Sequence, residues 1–357
     1  MEYRTRKRKR KRRPACCCAM FVLPILLAFA AAVNWRKQIR AGEQHSAESS
    51  AAEQSRAEQS QPEQPRNAQN VPEANVSGPN AQLCDLMIKA ATDGSWQFEF
   101  DPDMLQCESG EEVSKTVSDT FRWLWDERPE LFFVDCKCYT IPFADENGNY
   151  DENALVEMQP DEKYKDQPVL EWYAKTKQAA EQIIAQIPAG SSDTEKALFV
   201  HDYLVSHTVY DMEELLSEGT GTGRTVYGAL VEHKAVCSGY SSAFRYLMQL
   251  MDIPCRYYSG QSVQDEKDKL PFLEGTSNGH GWNCVWLDGT PYWVDVTWDD
   301  PVDQNGHDSG GPVRHKYCFV DDETLLQDHI FDSSYTDLPV CSDKTLHERL
   351  FPGEEAS

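Results

Sequence analysis

Between residues 237 and 254 the apolar positions fall at Tyr240, Phe244, Leu247, Met248 and Met251, steps of 4, 3, 1 and 3 that line one face of a helix. Asp252 and Pro254 end it. Residues 113–131 carry a second such stripe, with Val117, Phe121, Leu124 and Trp125 on one side. A third helix is predicted over 168–187: Pro168 suits a first turn, whose N–H groups lack partners anyway, and Pro188 stops it. A fourth runs from Ser192 to His207. Ser192 and Glu195 have capping-box spacing, and Leu198, His201, Tyr203, Leu204 and Val205 supply its apolar side. Strand character is read in "LFFVDCKCYTIPF" (131–143) and "NALVEMQP" (153–160), separated by turn-rich "ADENGNYDE". "EGTGTGRT" (218–225) is a loop whose glycines fit neither a dinucleotide fingerprint nor a P-loop.

The sharpest strand signal is "VWLDGTPYWVDVTW" (285–298), where Asp288-Gly289 separates two aromatic and β-branched runs as a two-residue hairpin turn does. That turn sets the register. Leu287 faces Thr290, Trp286 faces Pro291 and Cys284 faces Trp293; extended further, Trp282 faces Asp295 and His280 faces Thr297. His280, Trp282, Cys284, Trp293, Asp295 and Thr297 then share one face. Asp295 is the diagonal neighbour of His280, close enough for a carboxylate to reach an imidazole nitrogen.

The N-terminal part has a different pattern. A basic head, "RTRKRKRKRR", precedes an apolar run from Ala15 to Val33. That order reads as an export signal, with the basic cluster on the cytoplasmic side. Small residues at 28–32 resemble cleavage sites, whereas Trp35, Arg36, Lys37 and Arg40 form the flank of a retained anchor, and this flank chemistry favours retention. Residues 35–81 are rich in Gln, Glu, Ser and Ala with almost no large apolar side chains, the composition of a disordered spacer. Charge sharpens the division. Residues 1–40 hold 12 of the 34 Lys and Arg and one acidic residue; the remainder has 22 basic against 58 acidic residues, a net of −36. Phosphates would be repelled, which argues against nucleic acid as a partner. Nine cysteines lie beyond the apolar run, at 84, 107, 136, 138, 237, 255, 284, 318 and 341. Eight paired and one free, or several buried as thiols, both fit this number.

Cys237 falls at the start of its helix, where unpaired N–H groups and the positive dipole end favour a thiolate and could hold an oxyanion beside it. A lone cysteine there is more often structural. With a base and an orienter it becomes a nucleophile, and His280 with Asp295 on the hairpin supplies both types. Gly239 keeps the chain slim near an incoming substrate, and Trp282 and Trp298 are candidates to wall the cleft. Asn283 faces the other way in this register. Asp299, Asp300, Asp303, Asn305 and Asp308 could coordinate a cation, but a solvated acidic loop is the simpler account.

"AVCSGYSSAFRYLMQLMDIPC", "GHGWNCVWLDGTPYWVDVTWDDP" and "KALFVHDYLVSHTVYD" together resemble the transglutaminase-like domain of the papain-like cysteine hydrolase and acyltransferase superfamily, in its bacterial exported form. The family pattern is V-C-x-G-(Y/F), H-x-W-N and V-D-x-T-W, and all three parts occur in order; Gly281 departs from a commoner Ala. The resemblance implies an α+β, papain-like fold with a nucleophile helix packed on an antiparallel sheet. It implies Cys237 as nucleophile, His280 as general base and Asp295 as orienter, with no cofactor and no metal; no Ca²⁺ loop of the large animal transglutaminases is visible. The expected organisation is a basic cytoplasmic segment (1–14), a transmembrane anchor or signal peptide (15–34), the linker (35–81), an α+β subdomain (82–165), the transglutaminase-like domain (166–351) and a tail (352–357). The expected activity is thiol-dependent acyl transfer on amide bonds of a protein or peptide substrate outside the cytoplasm. That makes the chain a membrane protein through its apolar segment, or a secreted one if that segment is cleaved. A catalytically idle binding module at the cell surface is the alternative; intact Cys237, His280 and Asp295 speak against it.

Overall fold

The structure, a computed structural model, describes residues 80–135, 137–144, 150–217, 219, 221–262, 279–300 and 311–353. The basic head, the apolar run and almost all of the linker lie outside the described residues, as do Asp303, Asn305, Asp308 and the last residues of the tail. Among the described residues, no helix is long and apolar enough to cross a membrane. The linker expectation ends early: Asn80 already caps helix α1 (Ala81–Asp93), its side chain accepting from the Leu83 N–H.

The first part of the fold joins α1 and helix α2 (Gly110–Glu127) to a three-stranded antiparallel sheet of β1 (Gln97–Phe100), β2 (Tyr139–Ala144) and β3 (Tyr150–Glu157), in the order β1-β3-β2. Val117, Phe121 and Leu124 are buried as the α2 stripe predicts, but Trp125 is 46% exposed, its indole N–H donating to the Val134 carbonyl. The strand expected from residue 131 starts only at Tyr139. A short 3-10 segment, Pro129–Leu131, leads into a turn instead, and Val134 makes only an isolated antiparallel bridge to Pro160; Leu131, Phe133 and Val134 are buried, so their apolar character reflects core packing more than a ladder. Neither α1 nor β1 was legible in the periodicity.

Helix α3 (Val169–Ile184) begins with Pro168 as its N-cap instead of inside its first turn. Helix α4 (Asp193–His207) starts on the predicted capping box: the Ser192 side chain accepts from the Glu195 N–H, and the Glu195 carboxylate accepts from the Ser192 N–H. Short pieces follow: β4 (Val209–Tyr210), helix α5 (Met212–Leu216) and β5 (Lys234–Ala235), which pairs parallel with β4. Helix α6 (Cys237–Leu250) then buries Tyr240, Phe244, Leu247 and Met248, as the stripe predicts.

The second sheet is five-stranded and antiparallel, in the order β10-β6-β7-β8-β9, with β6 Cys255–Ser262, β7 Gly279–Leu287, β8 Thr290–Val294, β9 Cys318–Val320 and β10 His329–Phe331. Three short helices complete the fold: α7 (Val296–Asp299), α8 (Asp322–Leu325) and α9 (Thr345–Leu350). Val285, Leu287, Tyr292 and Val294 share a core with the inner face of α6, so the helix that begins at Cys237 lies on the antiparallel sheet of an α+β fold. The other face buries Tyr258, Trp282, Cys284, Trp286 and Trp293 with Tyr317, Leu325 and Cys341. Cys84, Cys255, Cys284 and Cys341 are buried thiols that pack as small hydrophobes, Cys284 and Cys341 with sulfurs 3.9 Å apart.

Candidate active site

The β7–β8 hairpin turns at Asp288 and Gly289, with φ of +50° and +81°. Positive φ at both central residues is the turn whose twist matches the strands it joins. The register is as predicted from Leu287↔Thr290 through Cys284↔Trp293, and the Trp286 N–H, free of β8, donates to the Pro254 carbonyl. Beyond Asn283↔Val294 the prediction fails. The pairing of His280 with Thr297 does not exist, because Asp295 leaves the strand to cap α7. Its Oδ1 accepts from the N–H groups of Thr297 (3.0 Å) and Trp298 (3.2 Å). These bonds aim Oδ2 at His280, whose Nε2 lies 2.6 Å away.

Cys237 occupies the first turn of α6, capped by Val236 without any side-chain help. Among the described residues, no acceptor takes the N–H of Cys237 or of Ser238. The start of α6 is pinned from two sides. The Val236 N–H donates to the Gly223 carbonyl, Ser241 Oγ donates to the Gly281 carbonyl (2.9 Å), and Asn283 Nδ2 donates to the Ser241 carbonyl (3.1 Å). Asn283 therefore does face away from the imidazole, and it ties the His280 strand to α6. The Cys237 sulfur lies close enough to the His280 ring and the Gly281 N–H for both to favour its thiolate. Since Asp295 takes Nε2, Nδ1 is the nitrogen left for sulfur.

The electrostatics follow from this chain of contacts. Burial pushes the Cys237 thiol up, but the hydrogen bond and charge of His280, helped by the Gly281 N–H, outweigh it and hold the thiol below its ordinary range. Burial pushes His280 down, yet the Asp295 charge and hydrogen bond, with the Cys237 sulfur, lift it to about 10. Asp295 is fully buried; burial alone would raise it, but His280 and His329 hold it well below the usual carboxylate range. The arrangement shifts Cys237 towards its thiolate and holds the proton on His280.

The other expected site residues sort differently. Trp298 is partly buried, its ring 5.5 Å from that of His280. Trp282 cannot wall a cleft: it is fully buried, packed between His280 and Phe331 in the aromatic core behind the sheet. Gly239 is buried too. A Cβ there would lie 2.4 Å from the Gly223 carbonyl oxygen, so this glycine admits the 221–225 loop against α6 and leaves no slot for substrate. Asp299 and Asp300 are not solvated. Asp299 accepts from His201 Nε2 (3.0 Å) and the Tyr317 N–H (3.0 Å), and Asp300 accepts from the Tyr240 hydroxyl (2.6 Å).

Three residues were missed. Asp295 Oδ2 accepts a second ring, His329 Nε2 at 3.0 Å, whose Nδ1 meets Asp328 Oδ1 at 2.8 Å. A single His in "LLQDHIF" has no spacing that points to residue 295; only the adjacent Asp hinted at a paired ring. Tyr257 explains Gly281: a Cβ at 281 would lie 2.4 Å from the Tyr257 hydroxyl oxygen. Two clusters gather three ligand-type atoms within 4.8 Å, His280–Asp295–His329 and His201–Asp202–His315. Their direct contacts of 2.6–3.0 Å are hydrogen bonds. Donors around a tetrahedral ion with bonds of about 2.1 Å stand about 3.4 Å apart.

Residues 177–298 match the Transglutaminase-like superfamily, and this segment belongs to it. The matched stretch holds Cys237, His280 and Asp295. With the α+β fold, it defines a thiol-dependent, enzyme-like domain. No curated protein matches the sequence. Among solved structures, a TGase is similar at 16% identity and a TM-score of 0.30, over 49% of this chain and 47% of that one. The periplasmic domain of TgpA from Pseudomonas aeruginosa, bound to ethylmercury, is similar at 16% identity and a TM-score of 0.24, over 42% of this chain and 57% of that one. The similarity thus spans about half the length of these proteins.

Proposed function

We propose that the domain catalyses acyl transfer on amide bonds of a protein or peptide, with Cys237 as nucleophile, His280 as general acid and base, and Asp295 as orienter. One observation carries this reading: the His280 ring, bonded to the Asp295 carboxylate at 2.6 Å, acts on the Cys237 thiol beside it at a helix start with unclaimed N–H groups. The thiolate attacks the amide carbonyl carbon, and the carbonyl oxygen becomes an oxyanion held by the Cys237 and Ser238 N–H groups. The C–N bond breaks as the imidazolium gives its proton to the departing amine, leaving a thioester. Water or an amine then loses a proton to His280 and attacks the thioester, freeing an acid or a new amide and restoring the thiolate.

The acidic body favours a cationic acceptor such as a lysine side chain. The basic head and apolar run favour a position at the outer face of a membrane, with the 35–81 segment as spacer, 82–165 as an α+β subdomain and 166–351 as the transglutaminase-like domain. A thiol-reactive probe should modify Cys237 fastest of the thiols near neutral pH, and at least tenfold more slowly in His280→Ala. Equal, slow labelling of both would favour an idle binding module. Incubation with a glutamine peptide and a labelled primary amine separates the chemistries: amine incorporation means transfer, whereas release of ammonia or peptide fragments means hydrolysis.

A further inference from the structure

His329 lies on β10, the edge strand next to β6, and is 1% exposed. Each of its ring nitrogens meets a carboxylate oxygen: Nδ1 to Asp328 Oδ1 at 2.8 Å, Nε2 to Asp295 Oδ2 at 3.0 Å. An ionised carboxylate only accepts, so both nitrogens must carry hydrogen and the ring is a cation. Asp295 Oδ2 is therefore shared by two imidazoliums, whose ring centres are 5.4 Å apart.

We propose that His329 is a positioning residue of the candidate active site: a charged second imidazole that holds Asp295 in place and divides its pull between itself and His280. The inference rests on the proposed function, since it concerns how Asp295 orients the base. Geometry supports it from every side. Trp282 and Trp298 enclose the His329 ring, with centres at 4.9 and 4.6 Å, so water does not dilute the contact. The titratable groups facing it are Asp295 from the end of β8, Asp328 from its own strand's approach, His280 from β7 and Tyr317 from the chain before β9, whose ring centre is 5.3 Å away. The Tyr317 hydroxyl donates to Asp328 Oδ2, and Lys316 Nζ stands 3.9 Å from that oxygen, so Asp328 is itself held as an acceptor. Hydrogen bonding fixes where the Asp295 carboxylate points; the second positive charge limits how tightly it can hold the proton on His280.

The test uses the full chain and iodoacetamide alkylation of Cys237 as a function of pH. The wild-type rate should rise first as the thiol ionises against His280, and change again at higher pH as His280 loses its proton. In His329→Gln the amide can still donate to Asp295 while the charge is gone. Removing a nearby cation raises every neighbouring acid, so both inflections should move to higher pH by about half to one unit. His329→Ala should move them similarly and also lower the plateau rate, because Asp295 is no longer held. If His329→Gln only slows alkylation and leaves both inflections in place, the ring merely packs and the inference is overturned. A wild-type profile with no early ionisation overturns the proposed function itself, and the inference with it. Should both variants fail to fold, ring ¹⁵N shifts of wild-type His329 decide. Two protonated nitrogens at pH 7 are expected; a neutral ring there refutes the proposal.

Discussion

Asp295→Asn replaces one oxygen with an NH₂ and changes little in volume, so its effect isolates charge and proton placement. Asp295 accepts four hydrogen bonds, two from backbone N–H groups at Oδ1 and two from imidazoles at Oδ2. In the asparagine variant the Thr297 and Trp298 N–H groups still require the oxygen. The NH₂ must then face His280 Nε2, which can no longer be a donor. The His280 proton moves to Nδ1, the nitrogen that faces sulfur, and a ring already protonated there cannot take the proton of the thiol. Burial, which the present network outweighs, then dominates at Cys237 and keeps it a thiol at neutral pH. A wrong tautomer of this kind costs a triad about 10⁴ in turnover. Alkylation at pH 6–7 should fall about 10²-fold or more, with its rise displaced towards or beyond the ordinary thiol value of about 8.5. Breaking a buried ionic network by removing one partner also destabilises by about 3–5 kcal/mol, so a circular-dichroism melt accompanies the assay. An asparagine variant that is folded and alkylates within twofold of wild type across pH 5–9 would refute the reasoning.

The remaining predictions concern the scaffold. Gly281→Ala drives a methyl into the Tyr257 ring, whose nearest atoms would lie 2.4–2.8 Å away. A loss of about 1–3 kcal/mol in urea unfolding is expected, and Tyr257→Ala in the same chain should recover most of it. Arg245→Ala removes a buried guanidinium that donates to the Asp126 carbonyl (2.9 Å) and the Glu127 carboxylate, linking α6 to the end of α2. It should cost about 1–3 kcal/mol and leave the pH profile of alkylation in place. Stability should also fall on the alkaline side. His201 is raised to about 9, where Asp202 and Asp299 outweigh its burial, and His280 is raised to about 10. A raised histidine stabilises fully below its unfolded value of about 6.5 and loses that contribution as pH rises through its folded value. Urea midpoints measured from pH 6 to 11 should therefore decline most steeply between about 7 and 9, where both folded rings hold a proton the unfolded chain has released, and level off above about 10; His201→Gln should make the decline below pH 9 shallower.

Much of this site was readable in the sequence because its geometry is local. A two-residue Asp-Gly turn fixes which residues of a hairpin face each other, and a helix stripe fixes where a helix starts. Those two rules place His280 near Asp295 and Cys237 at a helix mouth without knowledge of the rest of the fold. The reading failed where a residue's surroundings come from distant chain. Trp282 alternates onto the same face as His280, but that face is closed by Tyr317, Leu325 and Cys341 from the last part of the fold, so the indole is core. Gly239 is slim for the sake of the 221–225 loop, and Asp299 and Asp300 are claimed by His201 and Tyr240 from two helices upstream. His329 is the plainest case: 34 residues separate it from Asp295, and no periodicity spans that gap.

Sharing Asp295 between two rings follows from what burial demands. A fully buried carboxylate next to a single imidazolium would satisfy one charge but leave an oxygen lone pair in an apolar shell of Trp282, Trp298 and Tyr317. The second ring fills it, and Asp328 in turn satisfies the second ring. The result is a line of alternating charge from the Cys237 sulfur through His280, Asp295 and His329 to Asp328, which is 20% exposed and so reaches solvent. Each interior charge has a partner of opposite sign on both sides, and the outer end, Asp328, meets Lys316 and water. A site built this way resists losing any interior member far more than a peripheral one. Asp328→Asn should therefore disturb alkylation of Cys237 much less than Asp295→Asn, and equal losses in the two variants would show that charge alternation is not what organises the site.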